Sequence, residues 1–187
     1  MRKNPIPMEW FVAALGALTV PLFVYGKVPI WATFVTWAGA FLIGPTFESM
    51  RKLFPTLVVG TVSGVIFFAL VFTIDPLTGL VALPNSIIVF VMTLALLYLA
   101  RIPIFGLVPG IFMGFACFVG VTLSAQASTI PALFVPWIHA TLALLLGPIL
   151  AWLSVAPYLP REVASAEKVQ SSAESVVVSA EKISISS

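Results

Sequence analysis

The sequence predicts an all-α polytopic membrane bundle of about six transmembrane helices, built as two inverted three-helix repeats and followed by a cytoplasmic helical or disordered tail. Composition names the solvent: 60% of the 187 residues are hydrophobic, 9% are charged and the mean hydropathy is +1.14, whereas soluble domains are about one-quarter charged. Apolar runs near Met8–Gly26, Pro29–Phe47, Pro55–Ile74, Pro84–Ala100, Ile104–Leu123 and Leu133–Ala156 approach the roughly twenty residues a spanning helix needs. Their lack of a period of two argues against transmembrane strands. Finally, Lys27-Val28-Pro29-Ile30-Trp31 returns as Arg101-Ile102-Pro103-Ile104-Phe105, each time a cation, a β-branched residue, Pro, Ile and a large aromatic before an apolar run. Three helices on each side of the midpoint would insert the second half upside down relative to the first, an arrangement common in transporters and channels.

The first run follows Arg2 and Lys3, and Glu9 sits where a helix dipole favours an anion. No Ala-x-Ala-like cleavage site follows Gly16–Tyr25, so a retained helix is expected rather than a signal peptide. Trp10, Trp31, Trp137 and Trp152, with Tyr25 and Tyr158, fall near span ends and suit the membrane interface.

In the second run, Ala32, Thr36, Ala40 and Gly44 are four apart and share one face. Trp37 lies deeper beside that face, where it packs or walls a cavity. Glu48, Arg51 and Lys52 then mark a polar edge, with Glu48 read as an ion-pair partner. The third run carries Thr61 and Ser63. The fourth, with Thr93, is the shortest.

The fifth run repeats the second at an offset of 74, placing Gly106, Gly110, Gly114 and Phe118 opposite the small stripe. Small faces let membrane helices approach closely, so the second and fifth helices are expected to cross, with Ala32, Ala40, Gly106 and Gly114 at the contact. Cys117 reads as inert packing, without a disulfide or a Cys-based metal site. In the sixth run His139 precedes Ala143, Gly147 and Ala151 at four-residue intervals and should face the bundle, either as a titratable group or as a neutral hydrogen-bond partner near the interface.

Val108-Pro109-Gly110, Gly44-Pro45 and Gly147-Pro148 read as helix breaks. Proline frees a carbonyl about a turn earlier, and interrupted membrane helices often line a solute path. The candidate pathway-lining residues are therefore Thr33, Thr36, Trp37, Pro109, Gly110 and His139. The hydroxyls of Thr33, Thr36, Thr61, Ser63, Thr93, Ser124 and Thr141 could serve a neutral solute, although such groups more often bond back to their own helix.

With six spans, eight of the nine cations fall on one side and only Lys27 on the other, which puts both termini in the cytoplasm. The Asp75 loop and the Ser124–Pro131 loop then face outward. No phosphate loop, metalloprotease motif, paired intramembrane carboxylate or catalytic triad is present. Neither an enzyme, a cofactor, a bound metal nor a nucleic-acid partner is expected. A passive channel or transporter for a small neutral solute fits best; a non-catalytic accessory subunit of a larger membrane complex is the alternative.

Thr36-Trp37-Ala38-Gly39-Ala40-Phe41-Leu42-Ile43-Gly44-Pro45, the Gly60/Gly64 helix and Val108-Pro109-Gly110-Ile111-Phe112-Met113-Gly114, ending near Val119-Gly120, together resemble the YcdZ-like bacterial inner-membrane proteins, domain of unknown function 1097. The likeness covers roughly the second through sixth spans. It implies a multi-pass bundle in the bacterial inner membrane and supplies no activity.

The chain divides into a transmembrane domain, 1–160, with repeat halves of about 1–78 and 79–160, and a polar tail, 161–187. In the tail Ser165-Ala166-Glu167, Ser172-Ala173-Glu174 and Ser179-Ala180-Glu181 recur every seven residues, with Val169, Val176 and Ile183 completing an apolar seam. Such heptads fit a coiled coil, which predicts a homo-oligomer under the bilayer, a trimer in preference to a dimer.

Overall fold

Each apolar run forms a helix, but the helices are of unequal length and do not pair as their small stripes suggest. The computed structural model describes residues 7–79 and 82–158. Its helices are α1 (Met8–Gly26), α2 (Ile30–Ile43), α3 (Phe47–Thr78), α4 (Ala82–Leu99), α5 (Val108–Ser124) and α6 (Phe134–Val155), with 3-10 turns at Pro103–Phe105, Pro131–Leu133 and Ala156–Tyr158. There is no strand among the described residues. The heptad-bearing tail lies outside them.

Among the described residues three segments are long and apolar enough to cross a membrane: Met8–Gly26, Phe47–Leu77 and Pro131–Tyr158. The 32 residues of α3 rise about 48 Å, well beyond a hydrocarbon core of about 30 Å. By contrast the 14 residues of α2 rise only about 21 Å.

The ends explain these lengths. Lys27 closes α1 in the left-handed region (φ 54°), donating its N–H to Phe23 O at 3.0 Å while Val28 donates to Leu22 O at 3.4 Å. This is the reverse turn that usually takes Gly after a helix. Gly44-Pro45, expected to break a longer helix, instead ends α2, with Gly44 at φ 87°. Thr46 then caps α3, its Oγ1 accepting from Ser49 N–H at 3.1 Å, and Lys52 pairs with Glu48 across the first turns. That capped polar start carries α3 eight residues upstream of Pro55.

Val108-Pro109-Gly110 is likewise no interruption, because Pro109 lies in the first turn of α5, where a missing N–H costs nothing. Gly147-Pro148 lies within an unbroken α6.

The two dominant interfaces join α3 to α5 and α2 to α6, whereas α2 and α5 touch only slightly. Ala32, Trp37, Ala40, Leu53, Leu57, Ala143 and Leu144 share one core cluster, and Phe68, Phe118, Val121, Leu133 and Ala140 a second. α1 and α4 are peripheral: α1 buries only Thr19, and α4 buries Ile88 and Leu96.

Candidate functional site

Close backbone contact, not reactive side chains, organises the centre of the bundle. A Cβ added at Gly60 would overlap Ile111 O and lie 2.7 Å from Phe115 N and 2.8 Å from Gly114 Cα. One added at Gly114 would overlap Leu57 O and lie 3.0 Å from Gly60 Cα. α3 and α5 thus meet backbone to backbone. At the other interface a Cβ on Gly147 would overlap Thr36 Oγ1 and lie 2.5 Å from Thr33 O and 2.6 Å from Trp37 N. The partner atoms of Gly147 are the carbonyl of residue 33 and the amide of residue 37; those of Gly60 are the carbonyl of residue 111 and the amide of residue 115, each 78 further on. Helices α2 and α5 also start 78 apart, at Ile30 and Val108, while α1 and α4 start 74 apart, at Met8 and Ala82.

The expected crossing of α2 with α5 is therefore replaced by two crossings, each with another helix. Gly114 meets α3, and Ala32 and Ala40 pack in the cluster that contains Ala143, Leu144 and Ala151 of α6. Gly106 lies outside α5, exposed after the 3-10 turn, where an added Cβ would meet only Pro103 O at 3.4 Å and Ala100 O at 3.7 Å. The cation of the second copy stands seven residues before its helix, against three in the first, and these four extra residues carry Gly106 out of α5.

Thr33, Thr36 and Trp37 are all buried in α2. Thr36 Oγ1 donates back to Thr33 O at 3.2 Å while filling the space over Gly147, and the same back-bonding ties Thr56 to Leu53 O at 2.7 Å and Ser63 to Val59 O at 2.7 Å. Trp37, 4% exposed, stacks on Phe34 with centroids 5.5 Å apart; among the described residues its Nε1 has no hydrogen-bond partner, nor does the buried Oγ1 of Thr122 in α5. A hydroxyl pair links α6 to α3 directly, Thr141 donating to Thr61 at 3.4 Å. Gly110 is buried against Thr56 and Leu53 of α3, whereas Pro109 is exposed.

His139 lies apart from these. It lines a cavity of about 390 Å³ with Phe23 and Lys27 from the end of α1, Trp31 from the start of α2, Ser124 from the end of α5 and Val135 from the start of α6. Four helix ends meet here, and Lys27 and His139 are its ionisable side chains. Gly120 makes room for one wall: a Cβ there would lie 2.7 Å from Trp31 Cη2. Of the residues that line this pocket, the sequence flags His139 as an ionisable residue in an apolar run and Ser124 as a hydroxyl, and gives no sign that Lys27 joins them. A wider depression lined by Phe54, Pro55, Val58, Val59, Phe105, Leu145 and Ile149 is apolar throughout, as a surface against acyl chains would be.

The family model described as "Protein of unknown function (DUF1097)" matches residues 11–157, which takes in all but the outermost part of this bundle. No curated protein and no solved structure matches the chain.

Proposed function

The chain belongs to that family of unknown function, and on that premise we propose that it is an inverted-repeat membrane conduit, a passive channel or transporter for a small solute. One observation carries the reading: the helices with matching 78-residue spacing, α2 and α5, each lie against a long helix of the opposite half, α6 and α3, through glycine contacts on matching backbone atoms. Exchange of α1–α3 with α4–α6 turns one interface into the other, as a pseudo-twofold axis in the membrane plane requires. Short apolar helices in corresponding positions of two halves are the best pointer to a solute site in such folds. Trp37 Nε1 on α2 and Thr122 Oγ1 on α5, unpartnered and buried, offer polar atoms to a passing solute on those two helices. Charged side chains of the described helices sit near their ends, at Glu9, Glu48, Arg51, Lys52 and Asp75, which suits a neutral or singly charged solute better than ion pumping.

In this reading all six helices are spans, both termini are cytoplasmic and the tail gathers protomers beneath an inner membrane. Reporter fusions after Tyr158 test the orientation. For the function itself, the full chain reconstituted in vesicles is assayed by osmotic swelling with glycerol, urea and short carboxylates. At least one solute should enter about threefold faster than through protein-free vesicles, and Trp37→Phe should change that rate. Entry rates equal to those of protein-free vesicles for every solute would overturn the conduit.

A further inference from the structure

The pocket that gathers Lys27, Trp31 and His139 is chemically specific, and we propose that it binds the oxyanion of a small organic acid with an apolar body. As the substrate class of the conduit's mouth, this assignment rests on the reading above.

Three features converge on the pocket. Among the described residues the Lys27 ammonium makes no ion pair and no carboxylate lines the cavity to neutralise it. Its backbone is held at φ 54°, a conformation that costs a side-chain-bearing residue about 1–2 kcal/mol relative to the right-handed one. Lys27 is exposed at the rim of the cavity that it lines. Second, α2 begins at the pocket wall. Its first hydrogen-bonded N–H groups are those of Ala32 and Thr33, both to Pro29 O, which leaves the N–H groups of Ile30 and Trp31 without an acceptor among the described residues. A helix N-terminus of this kind favours an anion. Third, the His139 ring lines the same cavity and makes no hydrogen bond among the described residues.

The remaining wall is apolar. Phe23, Val135 and the Trp31 ring supply it, while the Ser124 hydroxyl is already committed to Gly120 O at 2.8 Å. A volume near 390 Å³ is at the small end of ligand cavities, about 300–1,000 Å³. A short branched carboxylate fits; its carboxylate would meet Lys27 and the start of α2, and its carbon skeleton the aromatic wall. An anionic lipid headgroup offers the same oxyanion chemistry from a second source.

The test measures binding to the full-length protein in phosphatidylcholine nanodiscs, with isovalerate and its neutral isostere isovaleramide as probes. A charge-assisted contact should make isovalerate at least about tenfold tighter than the amide. Lys27→Gly, which suits the left-handed backbone and therefore folds, should abolish that preference, Lys27→Arg should keep it, and Arg51→Met, outside the pocket, should leave it alone. Repeating the titration with phosphatidylglycerol in the disc separates the sources: competition identifies a headgroup as the occupant, and its absence a free acid, the oxyanion chemistry standing in both. Equal affinity for acid and amide, or an acid preference that survives Lys27→Gly, would overturn the assignment. Anion preference without solute entry into vesicles would retain the pocket and remove the conduit; entry of solutes without anion preference would do the reverse.

Discussion

The duplicated phrase builds different things at its two occurrences. At Lys27–Trp31 the cation caps α1, α2 starts three residues later, and Trp31 falls in its first turn over Gly120, walling a pocket. At Arg101–Phe105 the guanidinium sits 4.5 Å from the Tyr98 ring centroid, the Pro and the aromatic form a 3-10 turn, and α5 starts seven residues after the cation. The four-residue difference is close to one helical turn of about 3.6 residues. It therefore preserves which face of α5 is small, so that Gly110 and Gly114 still meet α3, while the cation turns to Tyr98 and the aromatic, Phe105, lines the apolar depression beside Phe54 and Pro55. Spacing, rather than residue class, decides which copy joins the pocket of Lys27, Trp31 and His139.

Several substitutions break or sharpen this comparison. The greatest effect is expected at the shared crossings: Gly114→Leu drives a side chain into Leu57 O and should abolish monodisperse protein in size-exclusion chromatography. Ile111→Leu, volume-conserving although Ile111 is 1% exposed, should cost less than about 1.5 kcal/mol. The two crossings should also respond differently to compensation. Gly147→Ala meets the Thr36 hydroxyl as well as backbone, whereas Gly60→Ala meets backbone alone. Adding Thr36→Ala should thus recover about 1 kcal/mol for Gly147→Ala and nothing for Gly60→Ala, a double-mutant cycle readable from thermal midpoints. Equal recovery at both would show that the crossings are interchangeable.

At the duplicated phrase itself the effects are smaller. Lys27→Gly relieves the left-handed strain at φ 54° and should stabilise the protein by up to about 1 kcal/mol after the larger unfolded-state entropy of glycine is subtracted, even as it removes anion preference. Arg101→Gln should lose about 0.5–1 kcal/mol of cation–π contact and leave ligand binding unchanged. Loss of anion preference in Arg101→Gln would dissolve the distinction between the two copies.

Helices bounded by loops were legible in the sequence to within a few residues. α1 agrees at both ends and α6 within one residue at each, because unbroken hydropathy and flanking Gly, Pro or aromatic residues mark them. Prolines caused the larger errors. Pro55 reads as a start but stands inside α3, since Thr46 supplies the cap and the Glu48–Lys52 turn can project from an apolar phase. Pro45 and Pro109, read as breaks within longer helices, stand where helices stop and start, which is where proline is cheapest. The small stripes announced a tight contact at Gly114 but paired it with α2 in place of α3, and Gly147 read as a break on a packing face in place of a crossing with α2, because a glycine face fits any other small face and only the three-dimensional arrangement chooses. Of the pocket, His139 was legible as an intramembrane ionisable residue and Ser124 as a hydroxyl. Lys27 was not, since its role depends on four helix ends from distant parts of the chain meeting at one place.

In the six-span arrangement proposed above, the brevity of α2 constrains how the protein is made. At 14 residues it is too short to be held stably in lipid by its own length, and the helix against which it packs starts at Phe134, about a hundred residues later. With translation at about 5–20 residues per second, α2 must wait on the order of 5–20 s for its partner to leave the ribosome, sheltered meanwhile by α1, α3 or the insertion machinery. α5 has no such delay, because α3 precedes it. The first half is thus the vulnerable half during synthesis, and a ribosome stalled before α6 would leave α2 as the segment offered to membrane quality-control proteases.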